Sequence, residues 1–386
     1  MNARWKTDTM EATRLTRAGR LIDAMAILRG LIPSTRAAGF ADDATQALSG
    51  GPRKGGRQQQ VSATLHRFLD RLGDLGSTRA LDGLVGDVVG RAPVPVPDGA
   101  QFEERNYANQ AGRRSYKLYV PSGYNARALP LVVMLHGCTQ SPDDFAAGTR
   151  MNQLAEELTF LVAYPAQDMS ANGSKCWNWF DASNQQRDQG EPSLIAGITR
   201  QITRDFLVEP RRVYIAGLSA GGAAAAIMGS TYPDLYAAIG VHSGLACGAA
   251  TDMSSAFEAM RQGRSSGVWE PCQRDGSGRA TPTIVFHGDR DMIVNPVNGD
   301  QVIAQAKAAA DLRITVTRGQ APGGMSYTRT VQVDDSGRRI LEQWVLHGAG
   351  HAWSGGSSAG SHTEPRGPDA SREMLRFFLQ LPAPAA

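Results

Sequence analysis

Net charge is nearly absent. The 386 residues carry 40 Lys and Arg against 37 Asp and Glu, leaving +3. So even a balance gives the whole molecule no electrostatic footprint for nucleic acid. Long apolar runs are also missing. None approaches the roughly 18 residues that span a bilayer, so no transmembrane segment is expected. Cysteine is scarce, and four thiols are too few for a disulfide scaffold. No tight His, Cys and Asp cluster has ligand spacing, so neither metal nor cofactor is implied. A clean secretory leader is lacking as well. The N-terminus MNARWKTDTMEATRLTRAGRLIDAMAILRGLI is basic, but Asp8, Glu11 and Asp23 interrupt it, and no cleavage site follows an apolar core. Taken alone, the residues fit a cytoplasmic protein.

What is present is a globular balance, with 41% hydrophobic and 20% charged residues, enough to bury a sizeable core. Residues 12–31 and 61–86 space their apolar side chains as helices do, with a linker rich in Gly, Ala, Gln and Arg between them. The stiff segment RAPVPVPDGA (91–100) follows. This predicts a helical, partly flexible extension over 1–95 and a separate domain over 100–382. The first 60 residues hold ten Lys/Arg and five Asp/Glu, a balance that fits a solvated or self-packed helix face better than a membrane contact.

Beyond residue 100 the pattern changes. A hairpin-like start at 102–120 precedes apolar runs at 129–137, 160–165, 211–217, 237–244 and 281–289, and a late strand at 339–351. Helical patterns fall at 150–159, 193–206 and 369–380. Strands alternating with helices predict an α/β fold, its mostly parallel, doubly wound sheet covered by helices on both faces and edged by antiparallel strands.

Gly-x-Ser-x-Gly, the pattern of a serine on a strand-to-helix elbow, occurs three times among 43 glycines, at Ser219, Ser265 and Ser358. The elbow needs a buried strand before it, small neighbours around it and a helix immediately after it. Only Ser219 has all three: VYIAG before, Gly217, Gly221 and Gly222 around, and AAAAIMG after. Ser265 follows a helical pattern, and Ser358 sits in the loop composition SGGSSAGSH.

A nucleophilic serine needs a base, and the base needs an orienting acid. On a doubly wound hydrolase sheet these follow in the order serine, acid, histidine. IVFHGDRDMIVNP (284–296) offers Asp291, past the strand end, with Asp289 shaping the turn. HGAGHAWSGG (347–356) offers His351 in a glycine-rich loop. His136, His242 and His287 stand at strand ends, where hydrogen bonding around the loops is their expected role. Oxyanion donors are expected at the backbone N–H of Ala220 and, in the HGCTQ loop, of Cys138.

LHGCTQSPDDFAAGTRMNQLAEE, KCWNWF, GLSAGG, HSGLACGAA, FHGDRDMIVNP and GAGHAWSGG, in that order, resemble the polyhydroxybutyrate depolymerase-type esterases of the α/β-hydrolase superfamily, over about residues 105–380. The resemblance implies a serine esterase acting through an acyl-enzyme on short-chain polyhydroxyalkanoate polyester or its oligomers. Feruloyl and acetylxylan esterases share such motifs and give the alternative substrate class. It also implies an extracellular setting. Cys138 with Cys176, and Cys247 with Cys272, are then candidate bridges, four reduced thiols being the alternative. Trp177, Trp179 and Trp353 become candidate walls for an acyl chain, or packing for the loops, and Asn178 a candidate contact for a substrate carbonyl.

Overall fold

The computed structural model describes residues 94–264, 281–307 and 312–380. The expected extension over 1–95, all but its last two residues, lies outside them, as do Ser265 and Cys272.

Ten strands form one sheet. Two of them are edge-forming and antiparallel: β1 (Gln101–Asn109) and β2 (Gly112–Val120). Six are parallel: β3 (Leu129–Leu135), β4 (Leu161–Pro165), β5 (Val208–Leu218), β6 (Ala238–His242), β7 (Thr283–Gly288) and β10 (Arg339–Leu346). β8 (Arg313–Gln320) and β9 (Ser326–Val333) complete the order β1-β2-β4-β3-β5-β6-β7-β10-β9-β8. A separate two-stranded piece pairs β11 (Trp353–Ser354) with β12 (Thr363–Glu364). Every residue of β3, β4, β6 and β7 is buried, as continuous apolar runs require when both faces are covered.

Alternation along the strands divides the core. Leu131, Val133 and Leu135 face one side with Ile215, Val241 and Val285. There they meet α3 (Gly190–Asp205), through Ile195, Ile198 and Ile202, and the alanine-rich α4 (Ala220–Thr231). α5 (Met253–Gln262) and α6 (Val297–Ala306) pack on the same side. Val132 and Met134 face the other side with Tyr214 and Phe286. There they meet α1 (Pro142–Thr149), α2 (Met151–Leu158) and α7 (Ala370–Leu379). Tyr214 stacks on Phe378 of α7 with ring centroids 4.9 Å apart.

The structure differs from the sequence expectation at one end of the sheet. β8 and β9 form an antiparallel meander with β10, where a single late strand was expected. β8 reads RITVTRGQ, and seven of its eight residues are exposed, so it carries no apolar face to betray it. β10 stops at Leu346, which leaves His351 well clear of the strand.

Candidate active site

The parallel strands all deliver their C-terminal ends to one edge, and the candidate residues gather there. β5 runs into Ser219, which adopts φ 58° and ψ −120° and caps α4. A side chain at positive φ costs of order 1–3 kcal/mol and persists only where the surroundings enforce it. Here they do. A Cβ on Gly217 would sit 2.3 Å from the Gly221 oxygen, and one on Gly221 would sit 2.1 Å from the Leu135 oxygen. Helix and strands therefore touch backbone to backbone, and the Ser219 amide donates to the His242 carbonyl at 2.9 Å.

The loop after β7 carries Asp291. Its Oδ1 accepts the amides of Ile293 and Val294, both at 2.9 Å, and its Oδ2 accepts His351 Nδ1 at 2.7 Å. Burial opposes the charge on this carboxylate. Hydrogen bonds from His287, His351 and the Val294 amide outweigh it and hold the group well below the usual carboxylate range. Asp289 turns aside to His347 Nδ1 at 3.0 Å and accepts the Gly348 amide at 2.7 Å. With the Arg290 amide donating to the Ala349 carbonyl at 3.0 Å, these contacts lace the Asp291 loop to the His351 loop. His351 gives Nδ1 to the acid and keeps its Nε2 for a second partner.

The loop after β3 passes beside the serine; a Cβ on Gly137 would lie 3.6 Å from Ser219 Cβ. His136 Nδ1 donates to the Gly137 carbonyl at 2.7 Å and Nε2 accepts the Gln167 amide at 3.0 Å. Burial pushes its pKa down to about 4. The Gly137 amide is taken by Gln140 Oε1 at 2.9 Å, and Gln140 Nε2 reaches Asp144 at 3.0 Å. The amides of Cys138 and Ala220 donate to no group among the described residues. Cys138 is bridged to Cys176. Cys247 is also disulfide-bonded, while Cys272 lies outside the described residues.

The three tryptophans offered as walls or as loop packing are buried. Trp177 is 0% exposed and gives its indole N–H to the His136 carbonyl at 3.1 Å; Trp353 is 1% exposed and donates to Ser371. Trp179 is buried as well. These rings pack the loops from beneath and present no open face to an acyl chain. Asn178 is likewise committed. Its backbone amide donates to Glu191 Oε2 and its side-chain amide to Glu191 Oε1, both at 2.7 Å. Glu191 is buried beside Arg114, and that burial raises its pKa. Gln140, Gln167 and Glu191 brace the Cys138 loop, a role that no motif in the sequence marks. His242 stacks between Phe286 and Trp353, with Nε2 accepting the Ser354 amide at 3.0 Å. Burial pushes its pKa down to about 3. Among the described residues no group of three or more His, Cys, Asp or Glu is placed to hold a metal ion, and no helix is long and apolar enough to cross a membrane.

Comparison with known proteins gives one family. Residues 114–321 match the family described as Esterase PHB depolymerase. Poly(3-hydroxyalkanoate) depolymerase C of Paucimonas lemoignei is 32% identical over 252 residues, covering 64% of this chain and 60% of that protein. A probable acetylxylan esterase A of Neosartorya fischeri is 28% identical, covering 55% of this chain and 59% of that protein. Feruloyl esterase B of Thermothelomyces thermophilus is 26% identical, covering 61% and 82%. The chain thus matches about three-fifths of the length of the first two. Among solved structures, an acetyl xylan esterase from Aspergillus awamori superposes with a TM-score of 0.56 at 19% identity, covering 72% of this chain and 98% of that one; it shares the fold.

Proposed function

We propose that this chain, which belongs to the Esterase PHB depolymerase family, is a serine esterase whose nucleophile, acid and base are Ser219, Asp291 and His351. The observation that carries the reading is the 2.7 Å bond from His351 Nδ1 to a buried carboxylate, at the sheet edge that holds a serine at positive φ. As Ser219 Oγ bonds to the ester carbonyl carbon, His351 Nε2 takes its proton. The oxyanion is met by the unpaired amides of Cys138 and Ala220. The carbonyl re-forms, the ester C–O bond breaks, and the leaving alcohol receives the proton from His351. Water then attacks the acyl-enzyme by the same route and frees the acid.

The substrate we propose is a short-chain poly(3-hydroxyalkanoate), poly(3-hydroxybutyrate) above all, or its soluble oligomers, supported by the relative at 32% identity. The second reading is an acetyl or feruloyl ester of plant polysaccharide, supported by the two esterase relatives. An extracellular setting is proposed with either, on the strength of the Cys138–Cys176 bridge.

Two measurements test this. Ser219→Ala should abolish the burst and turnover of a p-nitrophenyl ester, and turnover that survives the change would sink the mechanism. Products from a hydroxybutyrate trimer, methyl ferulate and acetylated xylan, compared side by side, decide the acyl group. Fastest turnover of the trimer supports the first reading.

A further inference from the structure

Asp291 Oδ2 serves two imidazoles. One is His351. The other is His287, the penultimate residue of β7, whose Nε2 lies 3.4 Å from the same oxygen and 2.9 Å from the Val294 carbonyl. A carbonyl oxygen only accepts, so the proton of His287 sits on Nε2, and a single N–H is shared between Val294 and Asp291. The ring therefore spans the turn from the end of β7 to residue 294. With the amides of Ile293 and Val294 on Oδ1, the carboxylate has donors on both oxygens.

His287 is an odd choice for packing alone. It is 2% exposed, and its Nδ1 is buried with no partner among the described residues. α6 presses on it there, since a Cβ on Gly299 would come within 3.0 Å of that nitrogen. Buried polar atoms are nearly always paired, and an unpaired one calls for a reason. An apolar ring would fill this space without the orphan. What it would lack is the Nε2 proton. The depressed pKa of Asp291 agrees, since the hydrogen bond from His287 is the foremost of the contacts that outweigh burial there.

We propose that His287 is a positioning residue for this esterase: its Nε2–H fixes the Asp291 carboxylate in the orientation that receives His351. The proposal rests on the Ser219, Asp291 and His351 reading. Without this donor the carboxylate is held through Oδ1 alone, so Oδ2 can shift about the Ile293 and Val294 amides and His351 loses a fixed partner for its tautomer.

The test compares His287→Gln, His287→Asn, His287→Leu, Asp291→Asn and the double variant His287→Leu/Asp291→Asn on a p-nitrophenyl ester. Burst amplitude counts active sites and thermal melts report folding. Gln places an amide nitrogen close to where Nε2 stands, whereas Asn is too short to reach. His287→Leu and His287→Asn should lower kcat by about tenfold to a hundredfold, with KM nearly unchanged. His287→Gln should recover most of kcat. In the Asp291→Asn background, His287→Leu should cost nothing further, because the group it positions is gone. If Leu does not fold, the contrast between Gln and Asn decides. Equal kcat for Gln and Asn, or the same loss from Leu with and without Asp291, overturns the positioning role. Full activity in Asp291→Asn sinks the underlying mechanism, a separate failure.

Discussion

Gly221 lies two residues past the proposed nucleophile Ser219, and its missing side chain is what lets α4 meet the end of β3. Gly221→Ala would drive a methyl group to 2.1 Å from the Leu135 oxygen, a backbone atom that cannot turn away. A destabilisation of about 3 kcal/mol or more is expected, read as a fall of several degrees in Tm. At the same scale two buried histidines set a pH dependence. Burial lowers His136 from 6.5 to about 4 and His242 from 6.5 to about 3. The unfolded chain binds these protons first, so the stability they contribute is complete above pH 6.5. It is lost progressively as pH falls from 6.5 to the folded values near 4 and 3, by up to about 3 kcal/mol per pH unit while the unfolded chain holds both protons and the folded chain neither. Denaturant midpoints measured from pH 7 to pH 4 should fall steadily, and a flat profile would contradict it. Single residues are readable in sequence where local context specifies them. Ser219, Asp291 and His351 each stand in the turn or loop that follows a strand, and the structure brings the latter two within hydrogen-bond distance. The tryptophans were not legible in that way. Whether Trp353 faces solvent depends on Phe145 and His242, residues more than a hundred positions away.

Among the elements, the loop after β3 is the one most dependent on its props. The Cys138–Cys176 bridge, Gln140 and the Glu191 network hold it from three directions. A Cys138→Ser/Cys176→Ser variant should lose about 2–4 kcal/mol of stability, and its kcat should fall by more than KM changes. Unchanged kinetics on the folded variant would mean that the bridge serves the fold alone. Gln140→Leu should orphan the Gly137 amide and lower kcat without removing the burst. At the far end of the sheet, Ile314 and Val316 of β8 are exposed. Ile314→Lys should leave Tm and activity nearly unchanged while reducing light scattering on heating, because a charge on an edge strand discourages strand-to-strand association. The central strands could be read from sequence because each carries a short, mostly apolar run that is buried on both faces. β8 and β9 could not, for β8 is exposed along nearly its whole length and β9 is half-buried on both faces, so neither shows an apolar face in its sequence. α5 was legible as the helical pattern before Ser265, whereas α6 went unread.

Across the whole molecule, the proposed acid and base arrive by different routes. Asp291 follows β7 directly. His351 follows β10, which lies between β7 and β9 and can take its place only after the chain has travelled out through β8 and back. The pair is 60 residues apart in sequence. On refolding, esterase activity should therefore return with near-UV dichroism, which reports the packing of rings such as Trp344 on Phe286, and lag the far-UV signal. Activity that returns with the far-UV signal would argue against that order.

The contact between the end of β3 and α4 has a wider consequence. Gly217, Gly221 and the Leu135 carbonyl meet with no side chain between them, so the spacing of the serine and its flanking amides offers selection nothing to adjust. Proteins similar to this chain over more than half of its length bear names as different as poly(3-hydroxyalkanoate) depolymerase, acetylxylan esterase and feruloyl esterase, and a frame fixed by backbone contact leaves such differences to the side chains around it.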